Sequence, residues 1–201
     1  MSERILTISR EFGSGGRTVG HMAATALHIP CYDQEILEEL AKKSGFTQGY
    51  IREQGEYAAH AGWLSNALAS RFSDGLTSQD RLWVLQRELI LELAEKGPCV
   101  IVGRCADFIL REKADCLTAF IHADMAFRAK RIVEVYGQRQ DSPEKRLQDK
   151  DRRRAAYYQF YTDTRWGQAR NYHIALDSGV LGIDRCAELL AELYESCGQV
   201  C

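Results

Sequence analysis

Residues 5–20 read Ile-Leu-Thr-Ile-Ser-Arg-Glu-Phe-Gly-Ser-Gly-Gly-Arg-Thr-Val-Gly, and the rest of the chain is arranged around them. Ile5 to Ile8 is a short, apolar, β-branched run that predicts a buried strand. Gly13, Gly15 and Gly16 then surround Ser14, Arg17 and Thr18 follow, and Val19 to Leu27 has a helical pattern. Strand, glycine loop, base, hydroxyl and helix in that order make a phosphate cradle. Glycines let backbone N–H groups turn toward an anion, and the helix N-terminus adds the positive end of its dipole.

The loop departs from the usual G-x-x-x-x-G-K-[ST] spelling. Gly16, Arg17 and Thr18 fill its last three places, but Glu11 stands where the first glycine belongs. Arg17 replaces a lysine, and a planar fork meets phosphate differently from a compact ammonium. Glu11 brings negative charge near the anion unless its side chain turns away, toward Arg10 or Arg17. The same spelling also fits a glycine-rich strand-to-helix turn with no ligand.

The chain has 201 residues, enough for one domain with inserted subdomains and a large core. Its 45% apolar and 27% charged residues are those of a globular protein in water. A formal net charge of −2 gives no global field for nucleic acid or an acidic membrane surface. No apolar run approaches the ~18 residues that span a bilayer, and the first residues lack the apolar region of a signal peptide. The seven cysteines are odd in number and form no C-x-x-C pair. They indicate neither a disulfide framework nor a zinc site, and they point to the cytosol. The five histidines are scattered and receive no chemistry.

Downstream, strands and helices alternate. His28 to Asp33 reads as a turn into a short strand ending in an acid, followed by a helix from Gln34 to Lys43. Residues 44–76 are weakly periodic and are expected to form a helical insertion. Leu82, Leu85, Leu89 and Leu93 carry a helix that also bears Arg81 and Arg87 and stops at Lys96-Gly97-Pro98. Cys99 to Val102 is a central strand, and Arg104 directly after it faces the carboxyl edge of the sheet, where α/β folds bind ligands. A helix over Ala106–Glu112 and a strand over Leu117–Ile121 follow. Asp124 caps a helix running to Tyr136, on which Arg128 and Arg131 share a face. Between Gln138 and Arg154 seven bases oppose four acids, in a segment whose helix starts at Ser142-Pro143. The aromatics Tyr157, Tyr158, Phe160, Tyr161 and Trp166 are expected to pack rather than to stack bases. Tyr172–Leu176 is a last strand, Asp177-Ser178-Gly179 its loop, and Asp184 begins the final helix. Five strands with intervening helices predict an α/β fold with a parallel sheet.

From near the N-terminus to the last helix the chain resembles the cytidylate kinase-like branch of the nucleoside monophosphate kinases. The resemblance rests on ISREFGSGGRTVG, IPCYD, CVIVGRCADFIL, FIHADMAFRAKRI, DKDRRRAAYYQFY and YHIALDSGVLGID in this order. It implies one P-loop domain over residues 1–201 with a five-stranded parallel sheet in the order 2-3-1-4-5. The core would comprise residues 1–43, 77–136 and 166–201, with an acceptor-binding insertion over 44–76 and a lid over 137–165. The implied reaction moves the γ-phosphoryl of ATP, with Mg²⁺, to a nucleoside monophosphate such as CMP or dCMP. Small-molecule nucleotides would be the partners, with no nucleic acid and no membrane, in a cytoplasmic monomer or weak homo-oligomer.

Residue by residue, the resemblance implies that Gly13, Ser14, Gly15, Gly16, Arg17 and Thr18 bind ATP phosphates, Thr18 beside Mg²⁺. Arg17, Arg128, Arg131 and Arg154 would stabilise the moving group. Asp33, Arg81 or Arg87, Arg104 and Asp151 would bind the acceptor. Besides Glu11 and Arg17 in the donor loop, four positions depart from the family pattern: Cys105 replaces an aspartate that helps read cytosine, and Val102 stands where some relatives carry an acid. Gln34 and Glu39 replace a serine and an arginine that contact the acceptor. Two other outcomes stay open: a catalytically weakened nucleotide-binding module, and a kinase for a different small acceptor.

Overall fold

The computed structural model of the chain describes residues 4–51 and 77–197. Five parallel strands form one sheet: β1 (Ile5–Arg10), β2 (Cys31–Tyr32), β3 (Cys99–Val102), β4 (Cys116–His122) and β5 (Ile174–Asp177). Their order is β2-β3-β1-β4-β5, as the family resemblance implies. β1 lies at the centre, pairing Ile5 with Cys99 on one side and with Cys116 on the other. Ile5, Leu6 and Ile8 are fully buried, which explains the unbroken apolar run: both faces of this strand are covered. Ordered burial of such a side chain contributes about 1.5–3 kcal/mol.

Two apolar layers flank the sheet. On one face α1 (Gly16–Leu27) and α8 (Ile183–Cys197) cover Leu6, Ile8, Val100, Val102, Ala119 and Ile121. α1 approaches closely because Gly20 has no side chain: a Cβ there would lie 2.8 Å from Val102 Cγ2. Val102, 1% exposed, is therefore part of a strand–helix seam, and an acid in its place would be buried there. On the other face α2 (Gln34–Ser44), α3 (Ser78–Glu95) and α4 (Ala106–Ile109) cover Ile5, Cys99 and Ile101.

Helix starts follow the local chemistry. Thr77 and Asp80 form a reciprocal capping box at α3. Asp124 accepts from the Phe127 amide at the head of α5 (Met125–Tyr136), and Ser142 precedes Pro143 at the head of α6 (Pro143–Thr162). α7 (Ser178–Leu181) is a short helix where a loop was expected, because Asp177 accepts from the Gly179 and Val180 amides and closes a turn. The helix expected to reach Glu112 stops at Ile109, and β5 begins at Ile174 rather than Tyr172.

The expected lid is divided. The first part of α6 is charged, whereas Tyr157 and Tyr158 near its end are buried in the layer over β3, and Tyr161 stacks on Trp83 at 4.3 Å. Tyr157, Tyr158, Tyr161 and Trp166 pack and tie the end of this segment to the core, whereas Phe160, also expected to pack, is exposed. In the expected insertion, Phe46, Tyr50 and Ile51 join the same layer, while residues 52–76 lie outside the described residues. No helix among the described residues is long and apolar enough to cross a membrane.

Candidate phosphate-binding site

β1 delivers the chain to the carboxyl edge of the sheet at Arg10, and residues 11–15 turn it back into α1. Two glycines make the turn. Gly13 and Gly15 have φ of +83° and +80°, where a side chain is strained. Gly16 has an ordinary φ but no room: a Cβ there would lie 2.5 Å from Arg10 Cβ. Ser14 is fully buried, its hydroxyl donating to the Glu11 carbonyl at 2.9 Å. Its own carbonyl accepts from the Ser178 hydroxyl, which seats the loop on α7.

Glu11 does turn away, but toward neither Arg10 nor Arg17. Its Oε2 is 3.3 Å from Arg128 Nε and accepts from the Ala123 amide at 3.2 Å. Burial raises its carboxyl above the ordinary range, and the Arg128 charge offsets part of that shift. Asp151 of α6 holds the other side of Arg128, with Oδ2 at 2.5 Å from Nη1, and its Oδ1 accepts from the Phe12 amide at 2.7 Å. Arg128 also donates to the Phe12 carbonyl at 3.3 Å. Around this cluster the Phe12 ring stacks on Tyr136, and Lys150 lies 4.5 Å from its centroid. Loop, α5 and α6 are thus joined by two carboxylates sharing one guanidinium.

Beside the loop is a cavity of about 960 Å³. Its floor is formed by Gly13, Gly15, Gly16, Arg17 and Thr18, and Asp33 and Arg104 line it from the neighbouring strand ends. α5 and the segment after it contribute Arg131 and Arg139, and α6 contributes Arg146, Lys150, Arg153 and Arg154. Arg154 donates to the Arg10 carbonyl at 3.1 Å, and Arg131 donates to the Thr18 hydroxyl at 2.9 Å. Arg17 is ion-paired with Asp33.

Arg104 is the most buried base of the lining, 7% exposed. Gly103, Arg104 and Cys105 all have positive φ, so the chain makes a tight left-handed corner at the end of β3. Gln86 fixes that corner by donating to the Arg104 carbonyl at 3.1 Å. The corner aims the side chain into the crevice, and its Nη1 is buried with no hydrogen-bond partner among the described residues. A desolvated cation in that position is complementary to an anion.

The structure therefore gathers Arg17, Thr18, Asp33, Arg104, Arg131 and Arg154 around one space. It does not bring Arg81 or Arg87 there: both are exposed on α3 and neither lines the cavity. Arg128 and Asp151 also lie outside the lining, engaged with each other behind the loop. The lining cations that sequence reasoning did not single out are Arg10, Arg139, Arg146, Lys150 and Arg153. All but Arg10 belong to the basic run after Gln138, whose charge was legible, but the side of the helix that would face the loop was not.

For Mg²⁺, the Thr18 hydroxyl is a side-chain oxygen at the helix start, with one lone pair taken by Arg131. Among the described residues no group of three or more His, Cys, Asp or Glu could form a cage. These residues fit an ion carried largely by nucleotide phosphates, as Mg²⁺ commonly is.

Comparison with known proteins shows the family and the fold. The model of the cytidylate kinase-like family matches residues 5–180. An uncharacterized protein from Eubacterium ventriosum, of known crystal structure, is 27% identical with a TM-score of 0.72, over 96% of this chain and 98% of that one. A shikimate kinase from Acinetobacter baumannii, solved with shikimate, is 15% identical with a TM-score of 0.57, covering 100% and 97% of the two chains. A gluconokinase from Sinorhizobium meliloti is 19% identical with a TM-score of 0.55, covering 98% and 96%. The last two likenesses show the phosphate-loop kinase fold. No curated protein matches the chain in sequence.

Proposed function

We infer that this chain, which belongs to the cytidylate kinase-like family, transfers the γ-phosphoryl of ATP to a nucleoside monophosphate, CMP or dCMP. The observation that carries this reading is the convergence of guanidinium groups from β1, α1, the β3 corner, α5 and α6 on one cavity floored by the glycine loop. Nine Lys and Arg side chains line it against four Asp and Glu, a balance suited to two phosphorylated substrates together.

Phosphoryl transfer asks the protein for positioning and for neutralisation of charge on the moving group. Backbone amides of Gly13, Gly15 and Gly16 would cradle the donor phosphates, with Arg17 and Arg131 flanking the terminal one; Ser14, buried with its N–H turned to the Glu11 carbonyl, braces the loop from behind. Arg104, fixed at the strained corner, would hold the acceptor phosphate in line. α6 would close the opposite wall with Arg146, Arg153 and Arg154, excluding water as a competing acceptor. Mg²⁺, held by the phosphates and the Thr18 hydroxyl, would neutralise charge on the donor. No side-chain base is required, since the attacking phosphate oxygen is already anionic. The commitment of Glu11 to Arg128 and Ala123 supports an operative loop.

A second reading, transfer to another small anionic acceptor, is favoured by Cys105. It is 5% exposed and supplies a thiol where relatives that read cytosine carry a carboxylate. An acceptor screen tests both: ADP release with CMP, dCMP, UMP, AMP, shikimate and gluconate. CMP- or dCMP-dependent ADP formation is the expected result. Turnover with a non-nucleotide alone would replace the first reading by the second, and saturable ATP binding without any turnover would remove both.

A further inference from the structure

Arg17 occupies the lysine place of the glycine loop, yet its Nε is paired with Asp33, across the cavity wall at the end of β2. Asp33 is the residue immediately before α2, where an aspartate ordinarily caps the helix with its side chain. It makes no such cap. Its backbone N–H donates instead to Glu35 Oε2 at 3.1 Å, and its carboxylate is left to Arg17. The two partners are unequally held: the Asp33 side chain is 12% exposed and that of Arg17 45%. The carboxylate is the enclosed partner of the pair, and the guanidinium is the exposed arm.

We propose that Asp33 is a positioning residue that holds Arg17 back from the donor phosphates until an acceptor engages Asp33. The idea rests on the kinase reading above. While Nε is committed to the carboxylate, Arg17 cannot offer that edge of its fork to a phosphate, because bidentate contact uses neighbouring N–H groups in one plane. A hydroxyl or amine of the acceptor that hydrogen-bonds Asp33 competes for the same oxygen and releases the arm. Donor and acceptor binding are then coupled through one ion pair, and the coupling is reciprocal. Without acceptor, the terminal phosphate lacks one of its stabilising cations, which slows transfer to water.

The test is a double-mutant cycle on binding rather than turnover, using inorganic tripolyphosphate and the non-hydrolysable ATP analogue AMP-PNP as probes in calorimetry. Wild type, Asp33→Asn, Arg17→Ala and the double variant are compared, with Asp33→Ser as a replacement should the Asn variant fail to fold. Releasing Arg17 should tighten binding about fivefold to tenfold in Asp33→Asn, and less than about twofold when Arg17 is already alanine. Equal tightening in both backgrounds would mean simple removal of a negative charge, and it would overturn the proposal. So would unchanged or weaker binding in Asp33→Asn. If wild type binds tripolyphosphate but not AMP-PNP, the nucleotide reading fails while the cycle on tripolyphosphate still decides the role of the pair. Binding of neither probe overturns both.

Discussion

Glu11 Oε2 lies 3.3 Å from Arg128 Nε, so the acid that replaces the loop's first glycine is matched by a guanidinium 7% exposed on α5. Because Asp151 takes the other side of the same guanidinium, three segments distant in sequence share one partly buried ion cluster. The spelling that looked hostile to phosphate is thereby part of what holds the loop in shape.

Arg128→Ala should destabilise the fold by about 3 kcal/mol or more, since it leaves two partly buried carboxylates facing each other without their cation. Arg128→Lys should recover little, because one ammonium cannot contact both acids and the Phe12 carbonyl in the same plane. Urea denaturation measures the effect. An unchanged midpoint in Arg128→Ala would show that the cluster contributes nothing to stability.

Asp107 should make the stability of the protein depend on pH. Its carboxyl is buried, accepting from Tyr158 at 2.6 Å and contacting the Ser9 hydroxyl at 3.4 Å. Burial raises its pKa above the ordinary 3.8 despite those hydrogen bonds. The native state therefore binds the proton more readily than the unfolded chain. Its contribution is fully present below pH 3.8 and is lost as pH rises through the folded value. Asp107→Asn cannot titrate, so the fall in thermal midpoint that accompanies rising pH in this window should flatten. A slope equal to that of wild type would assign it to other groups.

Much of this organisation was legible in the sequence, because it is written in local chemistry. Apolar runs such as Cys99–Val102, glycines at the loop, the cap at Asp124 and the Ser142-Pro143 helix start each act over a few residues, and the strands and most helices fall where they direct. The partners of charged side chains were not legible. Arg128 and Arg131 sit three residues apart on one helix, yet one is buried behind the loop and the other faces the cavity. That division depends on where α6 docks, which is set by Leu147, Tyr157 and Tyr158 packing on distant elements. Asp177 likewise nucleates a helical turn through its own carboxylate, a contact that spacing alone does not reveal.

Cys99 and Cys116 should resist alkylation in the native protein. Burial pushes both thiols from 9.0 up to about 12, which lowers the thiolate fraction about a thousandfold at neutral pH. Iodoacetamide labelling followed by peptide mass analysis should show both protected until denaturant is added. Labelling at the unfolded rate would mean that β3 and β4 open readily at that end.

Gly103→Ala separates the geometry of the site from the stability of the fold. Gly103 has φ of +79°, and its N–H donates to the Ile8 carbonyl at 2.9 Å, so the corner must keep its left-handed shape. Alanine in that conformation costs about 1–2 kcal/mol, which leaves the protein folded at 25 °C. Its Cβ, however, would fall 2.8 Å from Arg10 Cζ, and still nearer to Nη1. The guanidinium is the far end of a flexible side chain, so it moves aside, and the Arg10 charge leaves its place beside Arg104 in the crevice. Turnover should fall about tenfold or more, as expected for removal of one positioned cation. Arg10→Ala should fall by a similar factor, and the double variant should be little worse than either, because both changes remove the same group. Multiplicative losses in the double variant would mean that Gly103 acts through Arg104 instead, and an unchanged rate in Gly103→Ala would exclude Arg10 from the phosphate site.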